Sequence, residues 1–201
     1  MTTNTTKAVT NFGDGTNQAS FAADGELTFA GTGRVTKELI FYATALGKGG
    51  TAPTESIVDN FNIESYTIGD DSVVKFEMPS DWATGTDLTV GLHWACNEAY
   101  VTASGEVQWQ VTWRAVKTGE AYDSAGASGT IEHEDINIHA TARALVETDL
   151  GIIAGASLEA GDVVGMTLSR VALDAGTDPT AEAEVLLMEV KYIADKLGTA
   201  T

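Results

Sequence analysis

The sequence predicts an all-β chain, folded as a two-sheet antiparallel sandwich of the jelly-roll kind, and three observations predict it. The first is alternation. Leu88, Val90, Leu92 and Trp94 share one side of residues 88–94, and in residues 106–114 the side holding Val107, Trp109, Val111 and Trp113 is wholly apolar while the other is polar or charged. Successive side chains of a strand point to opposite faces, so period two marks a strand with one buried and one wet face. The second is rhythm: about eight or nine such runs follow one another with turn residues between them and no strand–helix–strand alternation. The third is length. Nine residues at about 3.3 Å each span roughly 30 Å, more than the usual strand, which favours a jelly roll over an immunoglobulin-like sandwich.

Residues 1–24 are rich in Thr, Asn, Gly and Asp around the isolated Phe12 and Phe21, a composition that packs poorly by itself. They read as an extended N-terminal arm ordered by contact with another subunit, and residues 25–201 as one sandwich domain. Leu27 and Phe29 alternate before Gly31-Thr32-Gly33, and residues 34–42 are rich in β-branched and aromatic types. Residues 45–56, with Gly47, Gly49, Gly50 and Pro53, read as a long loop. Residues 61–68 form the next strand, Gly69-Asp70-Asp71 turns, and Val74, Phe76 and Met78 share a face of residues 73–78. Pro79 ends that strand because it lacks the ladder donor.

The two clean central strands are joined by residues 96–104, too long for a tight hairpin. Residues 122–129 are a Ser/Ala/Gly loop and residues 130–138 a weaker strand. Residues 141–147 fit a short helix or continued strand equally. Residues 154–161 read as a turn or single helical turn before a strand at 162–171, and the last strand, 184–193, places Leu186, Met188, Val190 and Tyr192 on one face.

The hydrophobic fraction of 43% over 201 residues suffices for a generous core without covalent staples. Cys96 is the sole cysteine, which excludes an intramolecular disulfide and any zinc site of several thiolates, and its place beside a central strand suits a small buried hydrophobe. The polar N-terminus and the lack of any apolar run near the roughly 18 residues that span a bilayer imply neither signal peptide nor membrane helix. The expected route is synthesis in a host cytoplasm and delivery by assembly or lysis. Eleven Lys and Arg against 29 Asp and Glu give a formal charge of −18, with the basic residues scattered singly. Phosphate neutralisation needs clustered cations, so nucleic acid is excluded as a partner.

Chemistry-bearing patterns are few. His93 sits on the polar face of its strand, and His133 lies in Glu132-His133-Glu134-Asp135, where neighbours alternate faces and cannot converge on one ion. His139 completes the set, without the His-x-His of a cupin metal site. Residues 11–17 (Asn-Phe-Gly-Asp-Gly-Thr-Asn) have the oxygens and glycines of a calcium loop but not the acid count or terminal Glu of an EF-hand, and read as a turn. Nothing links a Ser or Cys to His and Asp in a nucleophile motif. Chance carboxylate pairs among 29 acids decide nothing about glycoside hydrolysis. Trp94, Trp109 and Trp113 lie on apolar stripes and belong to the core, whereas Trp82 beside Pro79 is the tryptophan expected at the surface. The sequence therefore nominates no catalytic, cofactor or metal residue, and implies a protein that is not an enzyme.

Several segments resemble the jelly-roll virion structural proteins of tailed bacteriophages, which decorate capsids or belong to tail and fibre assemblies. They are Asp24-Gly25, Gly31-Thr32-Gly33-Arg34-Val35, Met78-Pro79-Ser80-Asp81-Trp82, Leu92-His93-Trp94, Gly105-Glu106-Val107-Gln108-Trp109, Leu158-Glu159-Ala160-Gly161-Asp162-Val163, Leu168-Ser169-Arg170 and residues 192–198. The resemblance implies a capsid decoration or cement protein of the virion that stabilises the shell through protein–protein contacts. It implies a homo-oligomer, such as a trimer, bound to major capsid or other virion proteins and to neither nucleic acid nor membrane. The alternative is a carbohydrate- or receptor-binding β-sandwich of a tail or fibre assembly, which an aromatic on an exposed concave face would favour. A pair of buried acids in a cleft would instead favour a glycan hydrolase.

Overall fold

The computed structural model describes residues 10–21, 26–101 and 105–197. The chain opens with β1 (Thr10–Gly13), β2 (Gln18–Phe21) and β3 (Leu27–Ala30), follows β4 (Val35–Tyr42), and makes a short β5 (Gly47–Lys48) before the hairpin of β6 (Thr54–Val58) and β7 (Phe61–Tyr66). Then come β8 (Asp71–Glu77), β9 (Leu88–Cys96), β10 (Glu106–Val116), β11 (Ala127–Asn137), β12 (Val146–Ile153), β13 (Val163–Val171), β14 (Ala183–Ala194) and β15 (Lys196–Leu197). Among the described residues there is no α-helix.

Two sheets form the sandwich. One has the order β11-β10-β13-β8-β5, the other β12-β9-β14-β7-β6, with β4 also paired to β14. From β7 to β10 the chain changes sheet at every step, and again from β11 to β14, and this wrapping is that of a jelly roll. The alternating stripes meet in the interlayer: Leu88, Val90, Leu92, Trp94, Val107, Trp109 and Val111 are all fully buried. Trp109 lies edge-on between Trp94, 5.9 Å away between centroids, and Tyr66, 5.4 Å away. Edge-to-face packing suits the ring quadrupoles and fills a layer that smaller side chains would leave void. Cys96 is buried and free, and burial pushes its thiol above the ordinary value.

Arg170 closes one end of this interlayer. Its guanidinium is buried, donates from Nη1 to the Tyr66 carbonyl at 2.8 Å, and stands 3.6 Å from Asp178. It thereby ties the loop after β13 to the end of β7. Desolvation lowers its proton affinity against the pull of Asp178.

The last long strand departs from simple alternation. Val185, Met188, Val190 and Tyr192 face the core, but the register of β14 on β9 slips between Val185 and Leu187, leaving Leu186 partly exposed at a bulge rather than in the core row expected for it. Trp82 also departs from expectation: it is 3% exposed, its Nε1 donates to the Thr86 carbonyl at 3.1 Å, and its backbone bridges Ala194. The turn after Pro79 folds this indole back onto β14. Residues 141–145 are turn and coil, with β12 starting at Val146, so neither helix nor strand fills that span. The span expected to be a long loop carries β5 and the start of β6, and the 154–161 connection contains a single 3-10 turn, Gly155–Ser157.

The described part of residues 1–24 is a hairpin. β1 and β2 pair with each other, β2 pairs with β3, and β3 pairs with β15, giving a small four-stranded sheet that joins the first described strands to the last. The glycine- and asparagine-rich stretch forms its turn, where Asp14 Oδ1 accepts from the backbone N–H groups of Thr16 (2.9 Å) and Asn17 (2.6 Å). Those bonds lower the Asp14 carboxyl below its ordinary value. Phe12 and Phe21 pack edge-on to each other at 6.4 Å yet remain 59% and 47% exposed. The expected boundary at 24/25 lies outside the described residues.

Candidate functional site

The bulge in β14 determines where the surface opens. β7 pairs with β14 only over Ala183 to Val185, and from Leu187 onward β4 takes the same edge. The β6–β7 hairpin therefore splays away, turning through Asp59 at a left-handed φ of 52°, a conformation Asp tolerates well. Between the end of β4, the start of β7 and the outer face of β9 lies a groove of about 400 Å3. Tyr42 and Phe61, 61% and 59% exposed, stand on it with Leu145 and Leu187, while Asn60, Asn62 and His93 supply its polar atoms.

Cross-strand register extends the site into a ladder. The first rung is Tyr42, Leu187, His93 and Glu147; the second is Ile40, Glu189, Gly91 and Asp149; the third is Glu38, Lys191, Thr89 and Ile152. Gly91 has a specific role in the second rung. A Cβ there would stand 2.7 Å from Glu189 Oε1, so its absence lets the carboxylate lie flat on β9.

The buried Glu189 needs a cation, and Lys191 provides it: Nζ is 2.7 Å from Glu189 Oε1, 3.3 Å from Glu147 Oε1 and 3.4 Å from Asp149 Oδ1. The Glu189 bond, more than the rest, holds this ammonium well above the usual lysine value. His93 Nε2 is buried without a hydrogen bond, 3.7 Å from Glu189 Oε2 and 4.0 Å from Glu147 Oε1. His93, Glu147 and Glu189 have the spacing of a three-ligand metal set, but the ammonium already supplies the compensating charge. Sequence reading placed His93 correctly on the polar face. It missed the acids because they come from two other strands and form no local motif.

The other buried acids are likewise engaged. Glu64 points into the interlayer, where Tyr66 Oη and Ser72 Oγ both donate to Oε2 at 2.9 Å, and burial raises its carboxyl above the ordinary value despite these bonds. Glu184 accepts Nε and Nη2 of Arg143 at 2.9–3.1 Å. Among the described residues no helix is long and apolar enough to cross a membrane.

No family model matches the chain, and no curated protein does. Among solved structures it is similar to the CBM36-1 domain of a multidomain xylanase from the hindgut metagenome of Trinervitermes trinervoides, with 17% identity over 77% of this chain and 96% of that one and a TM-score of 0.43. It is similar at 16% identity to the carbohydrate-binding module CBM36 in complex with calcium and xylotriose, over 77% of this chain and 98% of that one, with a TM-score of 0.43. Infectious bursal disease virus, Gx strain, matches at 11% identity over 80% of this chain and 32% of that one, with a TM-score of 0.34. Jelly-roll neighbours thus include both carbohydrate-binding modules and viral capsid proteins. At these scores the likenesses carry no activity or ligand to this chain.

Proposed function

We propose that the protein is a virion structural component of a tailed bacteriophage, a capsid decoration or cement protein that works as a homo-oligomer through protein–protein contact. The small terminal sheet carries this reading. Its strands are only two to four residues long, and it presents Phe12 and Phe21 to solvent, as an attachment surface would. The charge of −18, without clustered cations, suits a place away from packaged nucleic acid. Mass measurement of the purified chain tests the assembly, with Phe12→Ser/Phe21→Ser as the comparison. A multi-subunit wild type and a dissociated variant are expected, and a monomeric wild type at particle-like concentrations overturns the reading. Labelling of purified particles with an antibody against the chain tests the location.

A second reading has its own observation. The exposed rings of Tyr42 and Phe61 on one concavity favour a carbohydrate- or receptor-binding sandwich of a tail or fibre assembly.

A further inference from the structure

We propose that the groove between β4, β7 and β9 binds a neutral oligosaccharide, with Tyr42 and Phe61 stacking on sugar rings and Asn60 and Asn62 hydrogen-bonding its hydroxyls. This rests on the second reading and gives it a ligand class.

Exposure separates these two rings from the core aromatics. All four tryptophans and Tyr66 are buried at 9% exposure or less, whereas Tyr42 and Phe61 are about three-fifths exposed on a single groove. Scattered apolar residues on a surface need no explanation, but two rings converging on one concavity do. A pyranose offers a face of C–H bonds, slightly positive, to the negative face of an aromatic ring, and a rim of hydroxyls that both donate and accept. The polar groups of the groove fit that rim, since the side-chain amides of Asn60 and Asn62 pair with hydroxyls in both senses.

Size and charge narrow the class. A groove of about 400 Å3 falls within the roughly 300–1,000 Å3 typical of small-molecule sites. A protein partner would need about 800 Å2 of this surface, extending the contact across Glu38, Glu147 and Asp149 and stripping water from their carboxylates. Glu147, the cross-strand neighbour of His93, and Asp59, next to Asn60 at the hairpin turn, border the groove and disfavour an anionic sugar. A neutral glycan meets neither obstacle.

The test is calorimetric titration of the full chain with neutral xylo-, cello-, manno- and chito-oligosaccharides of three units, and with sialyllactose and a heparin tetrasaccharide. At least one neutral probe is expected to bind with a Kd below about 1 mM, and Tyr42→Ala and Phe61→Ala each to weaken it about tenfold. Both side chains are exposed, so unchanged thermal melting should show that the variants fold. Ile152→Ala, exposed on β12 outside the groove, should leave binding intact. The proposal is overturned if no neutral probe binds, if the acidic probes bind as well as the neutral ones, or if neither ring substitution alters affinity. A change of oligomeric state in the ring variants without sugar binding overturns it too, and assigns the groove to a second copy. None of these outcomes bears on the terminal sheet, so failure here is distinct from failure of the decoration reading; acidic probes that bind and are lost in the ring variants would overturn the neutral class while leaving the second reading in place.

Discussion

At the scale of single residues, the interlayer depends on Trp109, which is fully buried between Trp94 and Tyr66. Trp109→Ala should cost about 3–5 kcal/mol, read as a lower denaturant midpoint, and a midpoint equal to wild type would refute its place in the core. Trp109→Phe should lose much less. It keeps a ring in the layer and discards an indole N–H that has no acceptor in the structure. The period-two pattern made this position legible, because one strand suffices to show which face is apolar. Trp82 was not legible, since its burial depends on a turn that folds it against a strand more than a hundred residues later. Glu64 was equally hidden, for nothing local says that Tyr66 and Ser72 from two sheets will meet its carboxylate. Its raised folded value means that the native state holds this proton more tightly than the unfolded chain does, so its contribution to stability is present at acid pH and lost as pH rises through that value. Glu64→Gln should therefore gain on wild type as pH rises above the unfolded carboxyl range near about 4.3, and converge with it below. Paired chemical denaturation from acid to neutral pH measures this, and a constant difference would contradict it.

At the scale of elements, alternation told which segments are strands but not how the ends or the edges pair. The arm composition of residues 1–24 pointed to dependence on another subunit; the described part forms a hairpin whose β2 pairs with β3, and β3 in turn pairs with β15. The groove arises from an element irregularity of the same kind. The run Val185-Leu186-Leu187-Met188 breaks the alternation expected for β14, and that break was the available signal for the bulge that hands the strand edge from β7 to β4. Gly91→Ala tests the rung beside the groove: the new Cβ displaces the Glu189 carboxylate from its seat beneath Lys191 and should lower the melting temperature, whereas Gly165→Ala, whose Cβ meets open space, should not. Deleting residues 1–21 tests the terminal sheet. The main hydrophobic cluster begins at Leu46, so the sandwich should remain soluble and melt cooperatively while its self-association is lost. Loss of folding would instead make the hairpin part of the core, and undiminished self-association would remove its role in assembly.

For the whole molecule, composition already bounds behaviour that no single contact determines. The chain carries a formal −18, with Lys37, Lys117, Arg143, Arg170 and Lys191 paired to acids rather than gathered into a basic face. Like-charged subunits repel as they approach, and at physiological ionic strength screening confines that repulsion to about 8 Å. The contact proposed through Phe12 and Phe21 is short-ranged and would gain from the same screening. Self-association should accordingly strengthen as salt is raised from low to physiological levels, with divalent cations acting at lower concentration than sodium. Binding to DNA would run the other way, because it draws on counterion release and weakens steeply with salt. Sedimentation of the full chain across a salt series, with and without duplex DNA, separates the two. Association that grows with salt and ignores DNA is the expected result, and a DNA complex that forms at low salt and dissolves at high salt would overturn the assignment of this surface to protein contacts.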